Sequence, residues 1–510
     1  MTRGSVARSA THPRALPASV AALLGAALAL CACSAPAAPP ASPPTAAVTT
    51  GSAATALTLG AEWPTYHGDV ARSGAVPAGP DPSSPAVAWR ATLDGAVYAS
   101  PLIARGLVVA ATEGGSLYGL DAATGATVWR THLADPVPAN DLPCGDITPA
   151  VGITGTPVYD AATGQVFAVA TTQSPLTHGT TSGTATPGAS ATATVAPSAA
   201  ATPAGVRHVL FSVDLLTGQI RNNRLVDAPG SRPATHLQRG ALLLSDGVVY
   251  VPYGGNYGDC GAYLGRVVGA PVTGDDPLTT FSVPTPREGG IWSSPGPVGL
   301  PGGDLLVTTG NGAAVGGAWD HSDSVLRLSP TLQLRDGFAP SGWAEENSDD
   351  ADLGSAGPVL LPGGHRVITA GKGGNVYLAD VDRLGGVDGQ LTQLSGCQSY
   401  GGSAVTAGAG GGAVAYLPCT EGLTQITVGG NDRMTQGWRS ADVNSSPVLV
   451  GHTVWAVDTA GTLHGLDAAS GRVRATVPVG AATRFATPAV SGTALVVPTL
   501  AGVTAVAITP

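Results

Sequence analysis

The chain has 510 residues and a formal net charge of −10, and only 11% of its residues are charged. Binding to nucleic acid requires a basic face that neutralises phosphates, so this balance excludes DNA and RNA as expected partners. The 72 glycines and 42 prolines stand among short apolar runs of Val, Leu and Ala. This composition leaves little material for long amphipathic helices and favours short strands joined by turns.

The first 33 residues have the features of an export signal. Three arginines precede the apolar run 18–30, which is too short to span a bilayer comfortably and follows the charge order of a secretory signal. The run ends at Leu30-Cys31-Ala32-Cys33, which resembles a lipobox, and Cys33 is the predicted lipidation site because the small Ala32 precedes it. A secretory signal with two incidental cysteines is the alternative. We therefore expect a membrane-anchored lipoprotein on the extracytoplasmic side of the cell envelope.

Composition divides the remainder of the chain. Residues 34–61 are rich in Pro, Ala, Ser and Thr, a composition that cannot bury a core and predicts a disordered linker. The folded domain is predicted over 62–510, interrupted by a similar tract at 171–205 that we expect to be a disordered surface insertion.

Four cysteines follow the signal segment: Cys144, Cys260, Cys397 and Cys419. An even set in an exported protein predicts disulfides, and four cysteines allow three pairings. We favour Cys397 with Cys419, which flank neighbouring predicted strands, and this leaves Cys144 with Cys260.

An internal repeat organises the folded domain. Small residues followed by Pro or Ala and an apolar strand recur eight times, beginning at residues 99, 155, 239, 293, 354, 402, 445 and 486. Second and third strands follow, and turns such as Asp121-Ala122-Ala123-Thr124-Gly125 lead into a fourth. Repeated four-stranded units without helices predict an all-β, eight-bladed propeller of antiparallel blades. The final repeat has three strands, so we expect the unpaired N-terminal strand 87–93 to close the ring; seven blades with one degenerate segment is the alternative.

These repeats resemble those of the pyrroloquinoline-quinone (PQQ) propeller family. The best matches to the family signature are 115–129 and 461–471, and the segment from Trp63 to Asp69, with Arg72 and Gly74, is similar to the one that precedes the first blade in that family. The resemblance covers roughly 63–510. It implies the fold but leaves activity open, because the family includes quinoprotein dehydrogenases and non-catalytic lipoproteins that bind other proteins.

The resemblance to the dehydrogenases implies a set of four site residues. By position in the repeats these are Asp259 and Asn311 as calcium ligands, Asp352 as base, and Lys372, the only lysine of the chain, as the cation that polarises the quinone. The adjacent cysteine pair of those enzymes is missing, and no Cys-x-x-Cys-His haem motif occurs. We therefore expect no cofactor and no catalysis, with a PQQ- and calcium-dependent alcohol dehydrogenase as the alternative.

A non-catalytic propeller would use the loops around its axis. Polar and aromatic residues stand just before the predicted innermost strands: His236, Arg239, Arg287, Trp292, Asn444 and Arg484. They are predicted to converge on one face and to contact an envelope protein or a small ligand, as a binding or assembly scaffold would. The alternative is that they pair with one another, as Arg239 with Glu288, and seal the channel.

Overall fold

The computed structural model describes residues 57–82, 84–174, 205–273 and 276–509, and the backbone of Val48–Thr50. The predicted signal segment, the lipidation site Cys33 and positions 175–204 of the expected insertion lie outside the described residues. Within the described ranges, no helix has the length and apolar character needed to cross a membrane.

The described chain forms eight four-stranded antiparallel blades, which confirms the predicted fold class. Blades 1 to 7 follow one another along the sequence, and blade 8 combines both ends of the folded domain. From innermost to outermost, the strands are Leu102–Ala104, Leu107–Ala111, Ser116–Asp121 and Thr127–His132 in blade 1; Val158–Asp160, Gln165–Thr172, Arg207–Asp214 and Ile220–Leu225 in blade 2; Leu243–Ser245, Val248–Gly255, Arg266–Pro271 and Thr279–Ser282 in blade 3; Val298–Gly299, Leu305–Thr309, Ser324–Leu328 and Leu334–Ala339 in blade 4; Val359–Leu360, Arg366–Ala370, Asn375–Asp380 and Thr392–Ser395 in blade 5; Ala404–Ala407, Ala413–Cys419, Gly422–Val428 and Met434–Ser440 in blade 6; Val448–Val450, Thr453–Val457, Thr462–Asp467 and Val473–Pro478 in blade 7; and Ala489–Ser491, Ala494–Thr499, Gly502–Ala507 and Ala86–Thr92 in blade 8.

Short strands and helices decorate these blades. The added strands are Val48–Thr50 beside Ala86–Thr92, Ala75–Val76 parallel to Val448–Val450, His236–Leu237 beside Val248–Gly255, Gly386–Val387 parallel to Leu334–Ala339, and the hairpin of Val137–Pro138 with Ala150–Val151. The helices are the α-helix Trp343–Ser348 and the 3-10 turns Tyr66–Gly68, Ala139–Asp141, Pro233–Thr235, Leu353–Ser355 and Ala409–Gly411. Order begins before residue 62, because Thr58 N donates to Thr493 Oγ1 at 2.8 Å within the predicted linker.

The repeated turn explains how one blade holds the next. In blade 1, Asp121 Oδ1 accepts from the backbone N–H of Thr124 at 2.8 Å, and Gly125 adopts a φ of 73°. A tryptophan of the preceding blade packs on this glycine and donates to a carbonyl of the turn. The pairs of tryptophan and glycine are Trp89 with Gly125, Trp129 with Gly218 and Trp438 with Gly471, and the indole nitrogens lie 2.9 to 3.0 Å from the carbonyl oxygens. The signature residues therefore form contacts between blades as well as turns within them.

The N-terminal strand closes the ring as predicted. Ala86–Thr92 pairs antiparallel with Gly502–Ala507, and the indole of Trp89 is buried in the same core as Val503 and Ala505. Both ends of the folded domain therefore contribute to one sheet. The strand Gly502–Ala507 has a hydrogen-bonded neighbour on each side, so it does not form an open edge.

The segment before the first blade fills the axis of the ring. We call residues 63–74 the axial plug, because this loop bonds to the innermost part of every blade. Its partners in blades 1 to 8 are, in order, Ile103, Tyr159, Leu242, Gly299, Leu360, Val405, Leu449 and Thr487, at distances of 2.7 to 3.4 Å. Tyr66, His67 and Arg72 of the plug are buried, and burial lowers the pKa of His67 to about 3. The resemblance located this segment, but its role as the hub of the ring was not predicted.

The cysteines follow the expectation in one pair and depart from it in the other. Cys397 and Cys419 form a disulfide. The expected bond between Cys144 and Cys260 is wrong for this structure, where both are free thiols. They are nevertheless neighbours, since the Cys260 amide donates to Cys144 Sγ at 3.2 Å. Burial, with the adjacent Cys260 thiol, raises the pKa of Cys144 to about 11.

Candidate functional site

The loops that carry the predicted site residues gather at one end of the ring. In each antiparallel blade, the start of the first strand and the end of the second strand lie at the same edge of the sheet. The residues just before the first strand and those just after the second strand are therefore brought together. We call this end the mouth. The tip of the axial plug forms its floor, because Tyr66 contacts Thr487, just ahead of an innermost strand.

An acid–base pair lies at the mouth between blades 4 and 5. Lys372 Nζ lies 2.7 Å from Asp352 Oδ2 and 2.6 Å from Asp350 Oδ1. The Asp352 side chain is 1% exposed whereas that of Asp350 is 69% exposed, so the two carboxylates differ chiefly in solvation. Burial raises the pKa of Asp352 to about 6 although the Lys372 ammonium opposes the rise. The only lysine is thus the counter-ion of a buried carboxylate.

Cations and aromatic rings alternate across the rest of the mouth. Lys372 Nζ lies 5.7 Å from the centre of the Trp292 ring, which meets the ring of Phe485 edge-on at 6.4 Å. The guanidinium of Arg239 lies 4.7 Å from the centre of the Phe485 ring. Contacts of this kind attract a cation to the electron-rich face of a ring. The contact with the Phe485 ring does not use the N–H groups of Arg239 as hydrogen-bond donors. The buried Nη2 atom of Arg239 has no hydrogen-bond partner among the described residues.

A second cation–aromatic pair and a buried glutamate complete the mouth. Arg484 lies 4.0 Å from the centre of the Tyr400 ring. Glu113 Oε2 accepts from the Gly152 amide at 2.7 Å, and burial raises the pKa of this carboxyl to about 7, with Arg239 among the groups that oppose the rise. Its Oε1 atom is buried and has no hydrogen-bond partner in the described part of the chain.

Three predicted face residues are engaged elsewhere. The exposed Arg287 forms an ion pair with Glu288, whereas the sealed-channel alternative offered Arg239 as an example of a partner for Glu288. Asn444 Nδ2 donates to Thr420 O at 3.1 Å. His236 is buried between the carbonyls of Arg232 and Leu264, at 3.0 and 3.1 Å, in a pocket away from the axis.

The residues suggested by the dehydrogenase resemblance fit a calcium-bound quinone only in part. Asp352 and Lys372 are adjacent, and Asn311 lies on the mouth side of blade 4. Asp259, however, is exposed, and its Oδ1 accepts from Tyr263 OH at 2.6 Å. Among the described residues, no three His, Cys, Asp or Glu side chains are placed to hold a metal ion. The base and the cation are thus together, but the metal-ligand part of the set does not fit.

Glu113 and Phe485 were missed by the sequence analysis. Glu113 stands two residues after the second strand of blade 1, as Asn311 and Lys372 do in blades 4 and 5. Aligning the repeats at that position would have found it. Phe485 follows Arg484 directly, but no sequence signal shows that it meets Trp292 of blade 4 across the axis.

Comparison with known proteins places the fold. A family model described as outer membrane protein assembly factor BamB, of the PQQ-repeat type, matches residues 78–251. No curated protein gives a significant sequence match. Among solved structures, BamB from Moraxella catarrhalis is 15% identical, with 83% of this chain and 98% of that chain covered and a TM-score of 0.52.

Two dehydrogenases are also similar in structure. A quinohemoprotein alcohol dehydrogenase from Comamonas testosteroni is 13% identical over 87% of this chain and 80% of that chain, with a TM-score of 0.59. A europium-containing methanol dehydrogenase is 13% identical over 87% of this chain and 97% of that chain, with a TM-score of 0.61. At such identities these structures establish fold and leave activity open. The repeats matched over residues 78–251 and the eight closed blades make this chain similar to PQQ-repeat β-propellers in sequence pattern and in fold.

Proposed function

We propose that this protein is a cell-envelope lipoprotein, anchored through Cys33, whose propeller is a non-catalytic scaffold that binds an envelope protein or a small ligand at the mouth. The observation that carries the proposal is the state of Arg239. This cation is buried against Phe485, and part of its guanidinium lacks a hydrogen-bond partner among the described residues. A buried hydrogen-bond donor without a partner costs free energy. An acceptor on a binding partner that bonds to Arg239 would remove this cost and so favour binding.

The neighbours of Arg239 suggest which kind of group would bind. Trp292 and Phe485 are both half-buried and supply apolar surface beside the cation. Aromatic and arginine side chains at the centre of a face are the residues that dominate binding in protein interfaces. A carboxylate on an extended acidic segment of a partner would satisfy Arg239 while its neighbouring side chain packs on the rings. The family resemblance to BamB supports a protein partner over a free metabolite.

Capture of partners from cross-linked cell envelopes tests the mouth. We expect the native protein to retain a defined partner that Arg239→Gln and Trp292→Ala each reduce at least tenfold. Arg335→Gln is the matched control, because this exposed arginine lies on the outermost strand of blade 4. If the partner is retained equally by all variants, the mouth is not the binding face.

Labelling with a radioactive fatty acid tests the anchor separately. Cys33→Ala should abolish labelling and release the protein from the membrane fraction, whereas Cys31→Ala should change neither. Loss of label in Cys31→Ala alone would contradict the assignment of Cys33.

The second candidate function is a quinone-dependent dehydrogenase, and the Asp352–Lys372 pair is the observation that favours it. Adding PQQ and calcium to the purified protein and recording the absorbance of the cofactor tests this alternative. Stoichiometric binding with alcohol-dependent dye reduction would replace the scaffold proposal, and absence of both would support it.

A further inference from the structure

Two free cysteines lie together among the loops at the mouth end of the ring. Cys144 is in the loop 142–149, on the connection from blade 1 to blade 2, and Cys260 is in the loop 256–265 between the second and third strands of blade 3. Both side chains are partly exposed. Neither cysteine belongs to a strand, so these loops can shift without breaking a strand pairing.

The two thiol groups are in contact. The backbone amide of Cys260 donates to Cys144 Sγ at 3.2 Å, and the Cys260 thiol lies within hydrogen-bonding range of the Cys144 thiol. Cys260 Sγ also donates to Gly258 O at 3.7 Å, a contact within its own loop. A disulfide requires the sulfur atoms to approach to about 2.05 Å. Sulfur atoms already in contact need only a small movement of the loops to reach that distance.

The other cysteine pair lacks this accessibility. Cys397 and Cys419 are bonded to each other, are 2% and 0% exposed, and lie in the hydrophobic core between blades 5 and 6. Thiol–disulfide exchange requires a thiolate to reach a sulfur atom, so exposed pairs exchange readily whereas buried bonds resist reduction. The chain thus holds one buried structural disulfide and one accessible pair of thiols.

We propose that Cys144 and Cys260 form a thiol–disulfide exchange site, which cycles between the dithiol of this structure and an intramolecular disulfide by reaction with the disulfide of an envelope oxidoreductase. In the oxidising direction, the Cys260 thiolate attacks one sulfur of that disulfide and displaces the other as a thiol. Cys144 then loses its proton, attacks the Cys260 sulfur and displaces the second thiol. The two cysteines lose two electrons and two protons, and the external disulfide becomes a dithiol.

The surroundings of Cys144 set the order of attack. Burial and the adjacent Cys260 thiol raise the pKa of Cys144 to about 11, so Cys144 stays protonated while its neighbour is a free thiol. Once Cys260 is part of a mixed disulfide, its contribution to this rise disappears, and Cys144 becomes the second nucleophile. The bond would join two mouth loops that are 116 residues apart in sequence. The envelope location of the oxidoreductase rests on the proposed function, but the exchange itself does not depend on the partner proposed for the mouth.

Redox titration of the purified full-length protein tests the proposal, with oxidised glutathione as oxidant and dithiothreitol as reductant. Alkylation followed by peptide mass spectrometry identifies the free and bonded cysteines. We expect oxidation to join the peptides of Cys144 and Cys260. Dithiothreitol should open that bond at a concentration at least tenfold lower than the Cys397–Cys419 bond requires, which makes the buried pair the internal control.

Two matched variants separate the steps. Cys144→Ser should trap Cys260 as a stable mixed disulfide with glutathione, whereas Cys260→Ser should leave Cys144 at least tenfold slower to react. Glutathione adducts on the native protein without a bond between the two cysteines would overturn the proposal. A Cys144–Cys260 bond that opens only together with Cys397–Cys419 would also overturn it, because the pair would then be a structural disulfide. Both outcomes are read from the native protein, so the conclusion does not depend on the folding of either variant.

Discussion

Replacing Lys372 by Met should destabilise the protein strongly and in a pH-dependent manner. The Asp352 carboxylate is 1% exposed and depends on the Lys372 ammonium 2.7 Å away. Burial already raises the pKa of Asp352 from 3.8 to about 6 with the lysine present, which corresponds to roughly 3 kcal/mol in favour of the protonated form. Because the folded pKa is raised, this contribution to stability is present below pH 4 and is lost as the pH rises through 6.

Removing the ammonium raises the pKa of Asp352 further, so the loss extends to higher pH. At pH 8 the variant must bury an unpaired charge or take up a proton, and we expect the free energy of unfolding to fall by about 3 to 5 kcal/mol. At pH 5 the carboxyl is protonated in the folded variant, and the loss should shrink to about 1 to 2 kcal/mol.

Urea unfolding at both pH values measures this difference. Lys372→Met combined with Asp352→Asn should recover most of the stability lost at pH 8, because no buried charge remains. Asp350→Asn removes the other, exposed partner of Lys372 and should cost about 0.5 kcal/mol or less. An equal loss at pH 5 and pH 8, or a loss at pH 8 no larger than that of Asp350→Asn, would refute the reasoning.

Three further predictions concern the turns, the mouth and the disulfide. Gly125→Ala should cost at least 2 kcal/mol more than Gly164→Ala in thermal unfolding: both residues have positive φ, but an added methyl lies 2.5 Å from the indole of the closing strand at Gly125 and meets nothing within 4 Å at Gly164. Burial raises the pKa of Glu113 from 4.5 to about 7, so its protonated form contributes stability below pH 4.5 that is lost as the pH rises through 7. Glu113→Gln should remove that contribution, about 3 kcal/mol between pH 4.5 and 8, and an unchanged pH profile of urea unfolding would contradict the assignment. Cys397→Ser opens a disulfide that spans 22 residues and should lower the free energy of unfolding by about 3 kcal/mol. Native protein treated with reductant should match this variant, and a larger loss in the variant alone would indicate a packing defect.

Repetition made the fold predictable from the sequence. Each blade is a small sheet whose two faces must be covered by its neighbours, so the same pattern of small, apolar and turn residues recurs in every repeat. Eight copies of this pattern can be aligned, and a signal that is weak in one repeat is then supported by the others. The closing strand around Trp89 could be predicted because the last repeat lacked one strand. The axial plug could not be assigned in the same way, since its partners in eight blades are brought together only by the closed ring.

The site was less predictable than the fold. Repeat position located Asp352, Lys372, Arg239 and Trp292 at the mouth, because every blade presents equivalent loops there. It could not show that Arg287 turns to its neighbour, or that Phe485 bridges Trp292 and Arg239 from the far side of the ring. Such contacts depend on the distance across the axis, which the spacing of residues along the chain does not encode.

The axial plug closes the ring at its centre. The axis is occupied by the buried side chains of Tyr66, His67 and Arg72, so no channel joins the mouth to the opposite end of the ring. Because this one loop bonds to all eight blades, a substitution in the plug should act on the whole ring rather than on a single blade.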